Sequence, residues 1–80
     1  MKINLIAFGI AKEIINTPEC ILEVTNPCSI GSLKQILMAK YEEFKKIQSI
    51  KFAINEDYQE DHFLLKEGDE VVIIPPVSGG

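Results

Sequence analysis

The spacing of apolar positions changes several times along the chain, and each change marks an element. Residues 2–8, KINLIAF, are short, rich in isoleucine and closed by Gly9, which predicts a strand. Residues 19–25, ECILEVT, predict a second strand between Thr17-Pro18 and Asn26-Pro27. Two strands joined by a turn imply a hairpin. The spacing then lengthens: Ile30, Leu33, Ile36, Leu37, Tyr41 and Phe44 recur every three or four positions, as on the buried face of a helix. Ser29 is a good N-cap for that helix, because its hydroxyl can accept from an unpaired first-turn amide. Lys34, Lys40, Glu42 and Glu43 fall mostly off the stripe and read as its solvated side. Beyond the helix, IKFAIN (50–55) returns to strand character, EDYQED is a polar turn and HFLL is at most a short strand. KEGDE is a tight turn with Gly68 free to take positive φ, and EVVIIP is the final strand. The predicted order is β-β-α-β-β.

A single helix covers one face of a sheet, so this order predicts an α+β fold, a mixed sheet gripping one main helix. The other face should be polar, and it is not entirely so. Val71 and Ile73 point one way in the last strand while Val72 and Ile74 point the other, because side chains alternate. The first strand does the same, with Ile3, Leu5 and Ala7 opposed to Ile6 and Phe8. Such strands are either central and covered by loops or covered on the helix-free face by another protein. Periodicity leaves both open.

Eighty residues make one domain. With 46% hydrophobic and 25% charged residues the chain has the composition of a folded globular protein. The formal net charge of -4 argues against a nucleic-acid partner, which would call for a basic face. No stretch approaches a membrane span. The opening MKINLIAFGIAKE faintly echoes a secretory leader, but Asn4 interrupts its apolar run, Lys12 and Glu13 close it early, and no small-residue cleavage site follows. A cytoplasmic location is expected. Cys20 and Cys28, eight positions apart, fit neither a zinc pair nor a disulfide framework and read as free thiols. With His62 the sole histidine, no metal site is expected.

The sequence divides into a domain, 1–74, and a tail, 75–80, that reads PPVSGG. Pro75 and Pro76 stop strand pairing and stiffen the exit, since neither offers an amide hydrogen. Val77, Ser78, Gly79 and Gly80 reach at most about 13–14 Å when extended, enough to enter a cleft on a partner. The two glycines make a thread without Cβ atoms. The α-carboxylate of Gly80, with an expected pKa of about 3.3–3.7, is ionised and resists nucleophilic attack. ATP can activate it as an acyl-adenylate. Such a carbonyl then accepts an amine, giving a protein modifier, or sulfide, giving a thiocarboxylate.

The stretch EGDEVVIIPPVSGG (67–80) resembles the end of the small subunits of molybdopterin synthase, with their Gly-Asp-Glu-Val turn, apolar strand and Pro-Pro-Val-[Ser/Thr]-Gly-Gly tail. FGIAKEI (8–14) and FAINEDY (52–58) resemble further stretches of that family, so the likeness covers the whole chain. It implies a β-grasp, ubiquitin-like fold and a sulfur carrier. By position it implies that an ATP-dependent adenylating enzyme activates Gly80, next to Gly79, and that a sulfur-delivering protein supplies the sulfur of a thiocarboxylate there. It implies too that Pro75, Pro76, Val77 and Ser78 run into the active site of the large synthase subunit. There the sulfur passes to cyclic pyranopterin monophosphate, within a heterotetramer of two small and two large subunits. Gly80 is reagent and not catalyst, and no permanently bound cofactor is expected. Phe8, Tyr58 and Ile74 match places where the family sets apolar residues against its partner. Ile73-Ile74 stands where aromatics are common and Lys12 where arginine is, changes that keep apolarity and charge. Gly-Gly alone is shared with the thiamine-pathway sulfur carrier and with ubiquitin-like modifiers, and these remain the alternatives.

Overall fold

A computed structural model describes residues 1–47 and 50–74. Five strands form one mixed sheet in the order β2-β1-β5-β3-β4. They are β1 (Lys2–Ala7), β2 (Glu19–Glu23), β3 (Lys51–Ile54), β4 (Asp57–Gln59) and β5 (Glu70–Ile74). The first and last strands lie side by side in parallel, with Leu5 opposite Val71 and Ala7 opposite Ile73; the other pairings are antiparallel. Helix α2 (Ile30–Lys40) and a shorter α1 (Gly9–Ile15) complete the body. This is the β-grasp architecture, a sheet wrapped on a helix.

Alternation in the strands decides which side is packed. Ile3, Leu5, Val71, Ile73 and Phe52 are buried together with Ile30, Leu33 and Leu37 of α2 in one core. Ser29 caps α2 as its sequence predicts, its Oγ accepting from the Ser32 N–H at 3.1 Å. The helix is shorter than its stripe, however. Tyr41 leaves helical geometry (φ -127, ψ 95), and Phe44 is buried from a following 3₁₀ turn, Glu42–Lys46.

Two further expectations are corrected. The first two strands pair antiparallel, but a seven-residue helix, α1, stands between them in place of a turn. Phe8 is extended (φ -128, ψ 160), Gly9 takes φ +54, and Ala11 and Ile15 bury one side of the helix. Asn16 ends it in the left-handed region, its N–H donating to the Lys12 carbonyl at 2.8 Å. Asparagine tolerates that conformation better than most residues. The second correction concerns EDYQED, which contains β4 and is not all turn. Asn55 (φ 48) and Glu56 (φ 77) make the two-residue reversal, as hairpins whose turn twist matches the strands require. HFLL forms no strand: Leu64 makes a single bridge with Ser29, and Leu65 is buried.

Asp69 is the one buried charged residue among those described. Its carboxylate accepts from the Lys66 N–H at 2.8 Å and from Asn55 Nδ2 at 3.1 Å, while Asn55 Oδ1 accepts from the Glu70 N–H at 3.0 Å. The turn before β5, with Gly68 at φ +81, is thereby tied to the β3–β4 reversal. Full satisfaction is what permits a carboxylate to be buried there.

Candidate partner-binding face and tail exit

The register of the sheet gathers apolar side chains on the face away from the helices. Ile6 lies opposite Val72, Val72 opposite Ala53, and Ala53 opposite Tyr58, giving one row across four strands. Ala53 is 8% exposed, Ile6 and Val72 are half-buried, and Tyr58 is 67% exposed. Phe8 follows Ile6 by two residues in extended backbone and is 58% exposed. Ile74 follows Val72 by two, lies opposite Lys51 and is half-buried.

The structure therefore answers the question that periodicity left open: among the described residues, neither loops nor helices cover this face. It brings Phe8 and Ile74 to the same end of two adjacent strands, because the pair Ala7 and Ile73 fixes their level. Tyr58 stands on β4, two strand spacings or about 10 Å from β5. Sequence reasoning missed Ala53 and Lys51 as members of the face, although alternation in IKFAIN already set them opposite Phe52 and Ile54. Ile10, half exposed on the first turn of α1, extends the apolar end beside Phe8. Lys51 supplies a cation next to the residue from which the tail continues.

The predicted tail residues Pro75, Pro76, Val77, Ser78, Gly79 and Gly80 lie outside the described residues. Both cysteines are free; Cys28 is buried and Cys20 half-buried. Burial pushes the Cys28 thiol above its ordinary pKa, and the N-terminal ammonium offsets part of that. A thiol held neutral is a poor nucleophile. Among the described residues no group of three or more His, Cys, Asp or Glu side chains is arranged to hold a metal ion, and no helix is long and apolar enough to cross a membrane.

Comparison with known proteins gives the geometry a context. The model of the ThiS family matches residues 5–80. The molybdopterin synthase sulfur carrier subunit of Drosophila melanogaster is 34% identical over 83 residues, covering 100% of this chain and 92% of its own. That of Mycobacterium tuberculosis is 34% identical, with 100% and 99% covered. A Pyrococcus furiosus protein assigned as subunit 1 of molybdopterin converting factor superposes with a TM-score of 0.87 at 22% identity, covering 96% and 99% of the two chains. In Helicobacter pylori, a complex of subunits 1 and 2 of that factor contains a chain with a TM-score of 0.68 at 23% identity over 100% of both. These two likenesses speak to the fold alone. Small archaeal modifier protein 1 of Methanosarcina acetivorans is 28% identical, with a TM-score of 0.77 over 99% and 96% of the chains. With a family model spanning nearly its whole length and relatives matched from end to end, the chain belongs to the ThiS family and, within it, to the molybdopterin synthase sulfur carrier subunits.

Proposed function

We propose that the chain carries sulfur for molybdenum cofactor biosynthesis as the non-catalytic small subunit of molybdopterin synthase, with Gly80 as the site of the chemistry. In the first step a Gly80 carboxylate oxygen attacks the α-phosphorus of ATP on an adenylating enzyme, forming the acyl-adenylate and releasing pyrophosphate. Sulfide from a sulfur-delivering protein then displaces AMP and leaves a thiocarboxylate. On the large subunit this sulfur forms a C–S bond at a side-chain carbon of cyclic pyranopterin monophosphate as a C–O bond at that carbon breaks and its oxygen leaves protonated, and water then cleaves the acyl C–S bond to restore the carboxylate. Two charged carriers serve one dithiolene.

The observation that carries this reading is the open apolar face at the strand end where β5 hands over to residues 75–80. Phe8, Ile74 and Tyr58 dock the body on a partner while the tail enters its cleft; Gly79 and Gly80 admit passage where a Cβ would block it. All catalytic groups belong to the large subunit, two of which assemble with two carriers. ATP is used by the adenylating enzyme, this chain holds no permanent cofactor, and the chemistry takes place in the cytoplasm.

Intact-protein mass spectrometry of chain purified without a tag after Gly80 tests the proposal. The expected result is a fraction heavier by one sulfur in place of one oxygen, located at Gly80, and loss of molybdopterin formation when Gly80 is deleted or extended. Rescue of pterin maturation by a chain lacking Gly80 would overturn it. The likeness to a small archaeal modifier favours a second reading, conjugation to proteins. Isopeptide adducts on cellular lysines without any thiocarboxylate would support that one. Rescue of a thiamine auxotroph, and not of a molybdenum-cofactor mutant, would assign the carrier to the thiamine pathway instead.

A further inference from the structure

A second uncovered surface lies at the sheet edge farthest from Tyr58. There β2 is paired on one side only, to β1. Two bonds set the phase of that pairing: the Val24 N–H donates to the Met1 carbonyl, and the Met1 ammonium donates to the Val24 carbonyl, each at 2.8 Å. Antiparallel ladders repeat every two residues, so Leu22 and Cys20 turn their backbone groups toward β1 while Glu19, Ile21 and Glu23 turn theirs outward. At Glu19 the outward groups are already engaged. Thr17 Oγ1 donates to the Glu19 carbonyl (3.0 Å) and accepts from its N–H (3.4 Å). No such partner meets the N–H or carbonyl of Ile21 or Glu23 among the described residues. Ile21, at 72% the most exposed large apolar side chain of those described, stands between Glu19 and Glu23 on the helix-free face.

A free edge with an exposed branched aliphatic is a template for another strand. Charge decides which strand. A second copy added antiparallel about Ile21 would set Glu19 against Glu23 twice, and like charges directly opposite destabilise a pair. Asn4 Nδ2 donates to Glu19 at 2.8 Å and Lys2 lies across the ladder from Glu23, but both are on the β1 side and leave the outer side acidic. The complementary occupant reads cation, any residue, apolar, any residue, cation.

We propose that the β2 edge docks an extended basic segment of a partner protein, added antiparallel and hydrogen-bonded to Ile21 and Glu23. This site is independent of the chemistry at Gly80, and its test involves neither sulfur nor ATP. The capped peptide Lys-Thr-Ile-Thr-Lys is titrated into the ¹⁵N-labelled full chain and followed by amide shifts and hydrogen exchange. Shifts and slowed exchange are expected at Ile21 and Glu23, with the Glu-Thr-Ile-Thr-Glu peptide weaker by on the order of tenfold. N-methylation of the peptide isoleucine should abolish binding, because it removes the N–H given to the Ile21 carbonyl. A Glu23→Lys chain, whose fold the same spectrum checks, should prefer a peptide with glutamate at the facing position. Equal binding of the N-methylated peptide or of scrambled Lys-Lys-Ile-Thr-Thr would reduce the effect to diffuse attraction and overturn the proposal. So would shifts centred on Tyr58 and Phe8, no shift at millimolar peptide, or self-association through β2 in sedimentation equilibrium.

Discussion

Replacing Phe8 by alanine should separate docking from folding. Phe8 is 58% exposed and caps α1 through backbone alone, with no side-chain hydrogen bond. Folding therefore draws little from it, and the melting temperature should move by no more than a few degrees. A partner gains much more. Taking about 200 Å² for a phenylalanine side chain, roughly 115 Å² remains to be buried, about 3 kcal/mol at ~25 cal/mol per Å². That is an upper bound on the binding loss, since association costs absorb part of any buried area; a 10- to 100-fold rise in Kd is expected. Calorimetric titration of the chain with the large synthase subunit measures the loss, and a thermal melt measures stability. Phe52→Ala serves as the opposite case. Phe52 is fully buried, so its truncation should cost about 3–5 kcal/mol of a total near 4–12 for a chain this size, and lower the melt sharply. Phe8→Ala binding within twofold of the parent, or a melt lowered as far as that of Phe52→Ala, would refute the assignment of the helix-free face.

Three other outcomes are expected. Ser29→Ala removes the acceptor for the Ser32 amide and should cost about 1 kcal/mol, lowering the melting temperature by roughly 4–8 °C, with the helix content at low temperature unchanged by circular dichroism. Asp69→Ala leaves the Lys66 N–H and Asn55 Nδ2 without their acceptor and should cost about 2–3 kcal/mol in urea unfolding, more than Asp69→Asn, which keeps one oxygen. Iodoacetamide should modify Cys20 in the native chain and Cys28 only on unfolding, as read by peptide mapping. Because the folded pKa of Cys28 lies above the unfolded one, its contribution to stability is complete below the ordinary thiol pKa of about 8.5 and is lost as pH rises through the raised value. Replacing Cys28 by alanine should remove that alkaline slope.

Legibility in the sequence followed the number of residues that signal together. Four stripe positions, Ile30, Leu33, Ile36 and Leu37, and a capping serine announced α2, and four consecutive β-branched residues, Val71 to Ile74, announced β5. The hidden elements were those whose signal is short or contradicted. In α1 only Ala11 and Ile15 are buried, too few for a stripe to stand out against the preceding strand. Strand β4 is an edge of three residues, two of them polar, and edges tolerate polarity because one side faces water. Chain termination of α2 at Tyr41 rests on backbone angles that no residue type there demands. The candidate face was half visible. Alternation exposed Ile6, Phe8, Val72 and Ile74, but only register shows that Ala53 and Tyr58 continue their row, because strands far apart in sequence meet there. Tyr58, Phe8 and Ile74 were named as a set by family resemblance, which carries information about register that periodicity lacks.

On the function proposed above, parallel pairing of the first and last strands makes one device of the candidate docking face and the tail, because it sets Phe8 level with Ile74. If a partner has to fix the four residues after the two prolines, that costs about 1–2 kcal/mol of backbone entropy each, or roughly 4–8 kcal/mol altogether. The two glycines have no side chain to offer a partner in return. The exposed parts of Phe8 and Tyr58 amount to about 250 Å², worth at most about 6 kcal/mol when covered. The face and the tail's ordering cost are thus of the same size, so a partner that held the thread alone would hold it weakly, and one that held the face alone would have no access to Gly80. Because Ile74 is both the last residue of β5 and a member of the face, seating the body fixes where the thread begins. The search for the cleft then becomes intramolecular, at an effective concentration set by six residues and not by the solution. On the proposed function, a carrier that visits an adenylating enzyme and then a synthase needs release as much as capture. On that reading, a face of a few half-exposed side chains, set against the entropy of fixing a thread in a cleft, should give complexes strong enough to form and weak enough to part.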